Sequence, residues 1–281
     1  MNIDFAQPPS ALIRGRRSCR TFSRKSLEEN AGRSLARDAA SLRQGLLGER
    51  ASFSLVEIPE KAGVRFSSYG LISGARFFIL GAISRSERFR ESYAFLLEHL
   101  VLKACELGLD TCWVGFFRPA DFKNFGPLAG DERPAVVVVG YRAARERLRD
   151  RLIITSIRAS RRRPWRDLFF KGELDTPLSE LEAGAYALPL EMVRLAPSSG
   201  NTQPWRVVKE PGSPTFHFYM KKVRKGYSAR GLHELDTGIA MAHFDLTCRE
   251  ANKPGTWVLS PPTPRHIASD IEYRWTWKGS A

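Results

Sequence analysis

Nowhere in this 281-residue chain do apolar residues run uninterrupted for the ~18 positions that a membrane span needs. The opening stretch MNIDFAQPPSALIRGRR lacks the apolar core of a secretory signal. The chain is therefore read as cytoplasmic, with no membrane partner. Cysteine is scarce: Cys19, Cys105, Cys112 and Cys248 stand far apart, with no C-x-x-C and no close histidine. That excludes a zinc site and a disulfide frame and leaves four reduced, small buried residues. No metal is expected. A Gly/Ser-rich linker is missing as well, which argues against two independent beads.

What is present is an ordinary globular composition, 43% hydrophobic and 26% charged, which excludes a disordered chain. The length fits one large core or two modules of about 140 residues. Acid is in short supply, with Asp+Glu 30 against Lys+Arg 44 and a net +14. The imbalance is concentrated: Arg142 to Arg166 carries ten arginines against Glu146 and Asp150, a net +8. Three readings are open for this run, namely a solvated face, a nucleic-acid patch and a site for a phosphorylated ligand. Only Trp165 stands beside it as a stacking platform, so nucleic acid ranks last.

Periodicity places the first elements. In residues 88–107 Phe89, Tyr93, Leu96, Leu97, Leu100, Ala104 and Leu107 recur at three-and-four spacing, a helix with a wide apolar face. Gly108 is its natural stop. The run LDTCWVGFF that follows reads as a buried strand, and 134–140 and 77–81 read the same way. Pro189 predicts a kink or a late helix start.

The helix-strand unit recurs. Residues 235–258 lay onto the segment around 95–114 so that Thr256-Trp257-Val258 matches Cys112-Trp113-Val114, and Trp205–Val208 matches Phe53–Val56. A diverged duplication results, with halves 1–165 and 166–281 packed together.

Three clusters carry potential chemistry. Arg16-Arg17-Ser18-Cys19-Arg20 sets Arg16, Ser18 and Arg20 on one side of an extended segment, where two guanidiniums flanking a hydroxyl can grip a phosphate. APSSGNTQPW, Ala196 to Trp205, brackets hydroxyl and amide side chains between prolines and suits a flat heterocycle with imide edges. GLDTCWVGFF, Gly108 to Phe117, ends a strand on a glycine where backbone can approach a ligand. The plain alternatives are an ordinary charged surface, an elaborate turn and a core strand. His99 and His243, one repeat apart, read as satisfied buried histidines, and Glu234 and Asp236 as acids at a helix N-terminus.

Together RRSCRTF, RLAPSSGNTQPWRVV, ELDTGIAMAHF and ELGLDTCWVGFF resemble the signature segments of the FMN-dependent nitroreductase family. Their distribution resembles its duplicated single-chain, pseudo-dimeric subfamily: the first half has RRS and GLDTCW, the second has APSSGNTQPW. At the missing positions stand Gln44–Glu49 and Asp167–Lys171. The resemblance implies an α+β nitroreductase-like fold, internally duplicated, with mixed sheets around a central helical core, in a monomeric pseudo-dimer. It implies FMN as cofactor, NAD(P)H as donor and a nitroaromatic or quinone-like small molecule as acceptor, in ping-pong hydride transfer that needs no catalytic side chain. The alternative is an FMN-binding carrier or sensor without turnover.

Site roles carry over by match. Arg16, Arg17, Ser18 and Arg20 correspond to the segment for the FMN phosphate and ribityl chain, and Arg161 and Arg163 to the basic residues that finish the phosphate pocket. Pro197, Ser198, Ser199 and Asn201 correspond to the loop beside the isoalloxazine. Trp113, Val114, Gly115 and Phe116 correspond to the strand end facing flavin N5, where Phe116 replaces a second glycine. The family's pyrimidine-contacting residues are represented by Ser67, Ser68 and Tyr69.

Overall fold

A computed structural model of the chain describes residues 3–58, 72–126, 131–145, 155, 161–262 and 267–280. The chain divides into two compact units, Met1–Gln7 with Gly15–Ala159, and Pro8–Arg14 with Ser160–Ala281. The first helix, α1 (Pro9–Gly15), thus belongs to the second unit apart from its last residue. The backbone N–H and Oγ of Ser10 both donate to the Glu250 carboxylate, at 2.8 and 2.6 Å.

The first unit runs α2 (Glu29–Ser41), β1 (Ala51–Glu57), β2 (Phe77–Ile83), α3 (Phe89–Glu106), β3 (Asp110–Val114) and β4 (Val136–Gly140). Its sheet has the order β1-β2-β4-β3, every pair antiparallel. The apolar runs FFILGAI and VVVVG are buried along their whole length because they take the two middle places. Gly108 ends the preceding helix at φ +75°, a conformation that favours glycine. Helix α3 departs from expectation in one respect. Its polar side is buried too, with Glu91, Ser92, Glu98 and His99 inside along with the apolar stripe, so it is enclosed all round rather than amphipathic.

The second unit runs β5 (Phe169–Lys171), α4 (Glu180–Ala183), α5 (Ala187–Leu195), β6 (Trp205–Lys209), β7 (Thr215–Lys221), α6 (Lys225–Ser228), α7 (Leu232–Glu250), β8 (Gly255–Val258) and β9 (Ile271–Gly279). Its sheet order is β5-β6-β7-β9-β8, antiparallel except for the parallel pair β5/β6. Without β5 this is the order of the first sheet. The long helix follows the second strand of the pattern in both units, and Trp113 and Trp257 fall on equivalent strands. Pro189 is the third residue of α5, where its missing N–H costs no helical bond.

The two cores differ in material. Around Phe244 of α7 pack Phe216, Phe218, Trp257 and Trp277, the last with its ring at 87° to Phe244 and 5.2 Å away. In the first unit, Phe53 of β1 lies opposite Gly81 of β2, and its ring packs 5.3 Å from Tyr93 of α3. A Cβ on Gly81 would collide with the Phe53 ring and stand 2.8 Å from Tyr93 Cε2. Gly81→Ala should therefore lower the thermal midpoint by roughly 5 °C through overpacking, and an unchanged melting curve would contradict this account of the sheet.

Candidate functional site

In the first unit the segment Arg16 to Phe22 meets the edge of β3 at Ser18 and then pairs at Thr21 with Ser73 and at Phe22 with Arg142. Ser18 bridges Thr111 in parallel and the Cys19 N–H donates to Thr111 O at 2.9 Å. Cys19, one residue from Ser18, turns to the other side as alternation requires, and joins Phe78, Leu80, Cys112 and Val138 in an apolar cluster; Phe22, three residues on, enters the same cluster, so strict alternation is not kept as far as Phe22. Arg16 and Ser18 share the opposite side, Arg16 Nη1 donating to Ser18 Oγ at 3.4 Å. Arg17 is exposed and donates to the Arg16 carbonyl at 2.8 Å. Among the described residues no carboxylate pairs with Arg16, which is 8% exposed, or with the half-buried Arg20. Guanidiniums held beside a hydroxyl without a neutralising acid form a donor set suited to an anion.

The neighbouring thiols are not nucleophiles. Burial, reinforced by Asp110, pushes Cys19 up to about 12, and burial pushes Cys105 up to about 11. Both stay protonated at neutral pH. Cys105 is half-buried rather than fully buried as expected, because it lies in the last turn of α3. Along β3 the Trp113 indole N–H donates to Glu98 Oε2 at 2.8 Å, and Gly115 and Phe116 follow in a bend, both half-buried.

In the second unit the loop from Pro197 to Pro204 makes an irregular turn. Gly200, Asn201 and Gln203 all take left-handed backbone, φ +57°, +57° and +49°. Such a conformation persists only where surroundings over-determine it, and here they do. Asp236 of α7 accepts from the Ser199 N–H at 2.9 Å and from Ser199 Oγ at 3.2 Å, and Thr202 Oγ1 stands 3.5 Å from its other oxygen. His233 Nδ1 approaches the same carboxylate at 3.6 Å. Its Nε2 accepts the Arg224 N–H at 3.3 Å, which puts the imidazole proton on Nδ1, facing Asp236. Burial raises the Asp236 carboxyl above its ordinary range, against the pull of His233 and Ser199 in the other direction.

The arginine-rich run meets this loop from outside. Asn201 Nδ2 donates to the Arg161 carbonyl at 2.8 Å, Arg162 donates to Asn201 Oδ1 at 2.9 Å and to the Leu195 carbonyl at 3.1 Å, and the Arg163 N–H donates to Gln203 Oε1 at 2.8 Å. Arg206 of β6 donates to the Gln203 and Trp205 carbonyls, and burial lowers its guanidinium to about 10, still charged at neutral pH. Gly200 sits under Tyr227, whose Cε2 would be 2.9 Å from a Cβ there.

The expected residues thus gather in two places. Arg16, Arg17, Ser18 and Arg20 are joined to β3 and so to Trp113, Val114, Gly115 and Phe116. Arg161 and Arg163 are joined to the loop holding Pro197, Ser198, Ser199 and Asn201. Sequence reading missed Arg162, Gln203, His233 and the anchoring role of Asp236, which stands beyond the first turn of α7. A buried acid inside the apolar ELDTGIAMAHF helix was the available signal. Ser67, Ser68 and Tyr69 lie outside the described residues, as do 146–154 and 156–160 of the arginine run. Arg142 is paired with Asp110 at 2.9 Å. Among the described residues no His, Cys, Asp and Glu group could hold a metal, and no helix is long and apolar enough to cross a membrane.

A family model described as "Putative TM nitroreductase" matches residues 10–248. The chain belongs to this nitroreductase family. Among solved structures, a putative nitroreductase of Thermotoga maritima is similar over 99% of this chain and 96% of its own, at TM-score 0.58 and 18% identity. A Bacteroides fragilis nitroreductase with bound FMN matches 51% of this chain and 92% of its own, at TM-score 0.41 and 18% identity. A putative NADH oxidase of Clostridium acetobutylicum matches 48% and 89%, at TM-score 0.38 and 22% identity. No curated protein matches. The α+β arrangement is that of the nitroreductase fold.

Within this nitroreductase fold the Asp236 anchor makes a prediction with a definite sign. An acid whose folded pKa is raised takes its proton in the native state at a pH where the unfolded chain does not. The folded state is then favoured progressively as pH falls from neutral toward about 4, and disfavoured as pH rises. Asp236→Asn removes that dependence. Denaturant titrations at pH 7 and pH 4.5 should show wild type gaining on the variant at the lower pH, and a constant difference would refute the assignment.

Proposed function

We propose that the chain is an FMN-dependent NAD(P)H oxidoreductase of nitroreductase type, passing reducing equivalents by a ping-pong cycle to nitroaromatic or quinone-like acceptors. Membership of the nitroreductase family supports this reading. The observation that carries it is the segment Arg16 to Arg20, tied to β3 at Ser18, in which Arg16 donates to Ser18 and neither Arg16 nor Arg20 has an opposing acid among the described residues.

The donor chemistry fits a phosphorylated flavin. Arg16 and Arg20 would give charge-assisted hydrogen bonds to its phosphate, with Ser18 as a further donor. Arg17, Arg161 and Arg163 add to the positive field that draws the anion in. By the same match each half offers a segment suited to a flavin ring system: backbone at Gly115 and Phe116, beyond Trp113 and Val114, in the first, and the turn of Pro197, Ser198, Ser199 and Asn201 in the second. FMN, when bound, supplies the hydride acceptor and donor that no side chain here provides. The chain's own part is to bind, orient and exclude water, so no catalytic acid is assigned.

The matching strand order of the two sheets supports an internal duplication dividing near residue 165; the same reading takes the chain as a monomeric pseudo-dimer of the cytoplasm.

The protein should retain yellow colour after incubation with FMN and gel filtration, and the colour should bleach under anaerobic NADPH or NADH. Arg16→Ala combined with Arg20→Ala should weaken FMN binding at least tenfold, measured by quenching of flavin fluorescence. Colour that never bleaches would select a flavin carrier instead, and no retained colour would overturn the reading.

A further inference from the structure

The two units differ where the second strand of the shared pattern hands over to the long helix. Five residues, 84–88, make this connection in the first unit, and ten, 222–231, in the second. The excess holds α6 and the sequence KVRKGYSARG. An insertion on a repeated scaffold is where specificity is usually added.

This insertion is pinned in place. The Arg224 N–H is tied to His233, and so to the Asp236 carboxylate that holds Ser199. The Arg224 guanidinium lies 5.4 Å from the Tyr227 ring centroid and donates to Tyr227 Oη at 3.5 Å. Both side chains cover Gly200, where a Cβ would be 2.9 Å from Tyr227 Cε2 and 3.2 Å from Arg224 Nη1. Only glycine admits this close approach of the insertion to the 198–203 turn, and its φ of +57° makes the same demand.

Its charges are unequally used. Lys221 and Lys222 are paired with Asp270 and Glu272. Arg224 and Lys225 are exposed and face no carboxylate among the described residues. An ordered guanidinium over the turn, followed in the chain by an exposed ammonium that likewise lacks an acid, suits a phosphate monoester dianion.

We infer that Arg224 and Lys225 recognise the 2′-phosphate of the reduced nicotinamide donor and make NADPH the preferred substrate over NADH. The inference rests on the flavin reading above, which puts the 198–203 turn beside the reacting ring and so places the donor within reach of the insertion. The 2′-phosphate is the group by which the two donors differ. Its recognition by two exposed cations would change KM, with kcat untouched.

The test uses the full-length, FMN-loaded protein and the double variant Arg224→Ala/Lys225→Ala. In the variant KM for NADPH should rise about tenfold, with kcat and the KM for NADH within twofold of wild type. Calorimetric binding of 2′,5′-ADP should weaken by a similar factor, while 5′-AMP binding and FMN affinity stay unchanged. Raising ionic strength should erase most of the wild-type preference. Equal use of both donors by wild type, or an equal loss with both in the variant, would overturn the inference. A fall in FMN affinity would overturn it too, assigning the cations to the flavin phosphate. Should the wild type hold no flavin, the functional reading fails by itself. The cations are then judged by 2′,5′-ADP alone: tight binding lost in the variant keeps their role as a phosphate site, and its absence removes it.

Discussion

A carboxylate sealed inside a helix must be surrounded by donors, and in this chain that requirement organises the second unit. Asp236 is 2% exposed. Removing such a charge from water costs several kcal/mol unless hydrogen bonds offset it. The donors are the Ser199 amide and hydroxyl and Thr202, with the His233 ring 3.6 Å away, so satisfying one buried anion fixes the turn of the 198–203 loop and sets beside it the imidazole that accepts from Arg224 at the entry of the inserted segment. The left-handed residues of the turn are held by this grip from one side and by the arginine run from the other.

The first unit meets the same problem with the signs exchanged. Its long helix offers a hydroxyl, Ser92, at the position one repeat before Asp236. The acid sits instead in the loop segment 44–49, where Glu49 accepts from Ser92 Oγ at 3.0 Å, from Ser86 Oγ at 2.6 Å and from the Leu47 N–H at 2.9 Å. Donor and acceptor have traded sides while the loop-to-helix tie is kept. A hydrogen bond can be inverted in this way at little energetic cost so long as both partners change together. The loop held by Glu49 carries no proline-bracketed run of serines, so the two ties present different surfaces to a ligand.

Much of the scaffold was readable from local pattern. The buried strands 77–83 and 136–140, the helix stop at Gly108 and the late start of α5 around Pro189 follow from apolar runs, a glycine and a missing N–H, each decided within a few residues. The edge strand β5 was not readable, since three residues cannot set up an alternation and its pairing with β6 spans 38 positions. Burial of the polar side of α3 was hidden for a similar reason, because periodicity reports one face and not what covers the other. At the site, the cationic strip near residue 16 was legible as spacing on an extended segment, and Cys19 and Ser18 turn opposite ways as alternation demands. The arginine run was legible only as charge. Whether Arg161, Arg162 or Arg163 directs its side chain at the loop depends on carbonyls up to 40 residues away, and the guanidinium with both a side-chain and a main-chain partner there belongs to Arg162.

The first helix bears on how such a chain can be made and cut. Residues 8–14 belong with the unit built from 160 onward, yet they are flanked on both sides by residues of the other. The Ser10–Glu250 contact closes a span of 240 residues. A ribosome therefore releases Ser10 240 residues ahead of its partner Glu250, and the helix waits unpaired while those residues are made. Contacts of such separation slow folding far more than they alter its final free energy. A single cleavage near residue 160 would not yield two whole modules, since the amino-terminal fragment would leave with a piece of its neighbour.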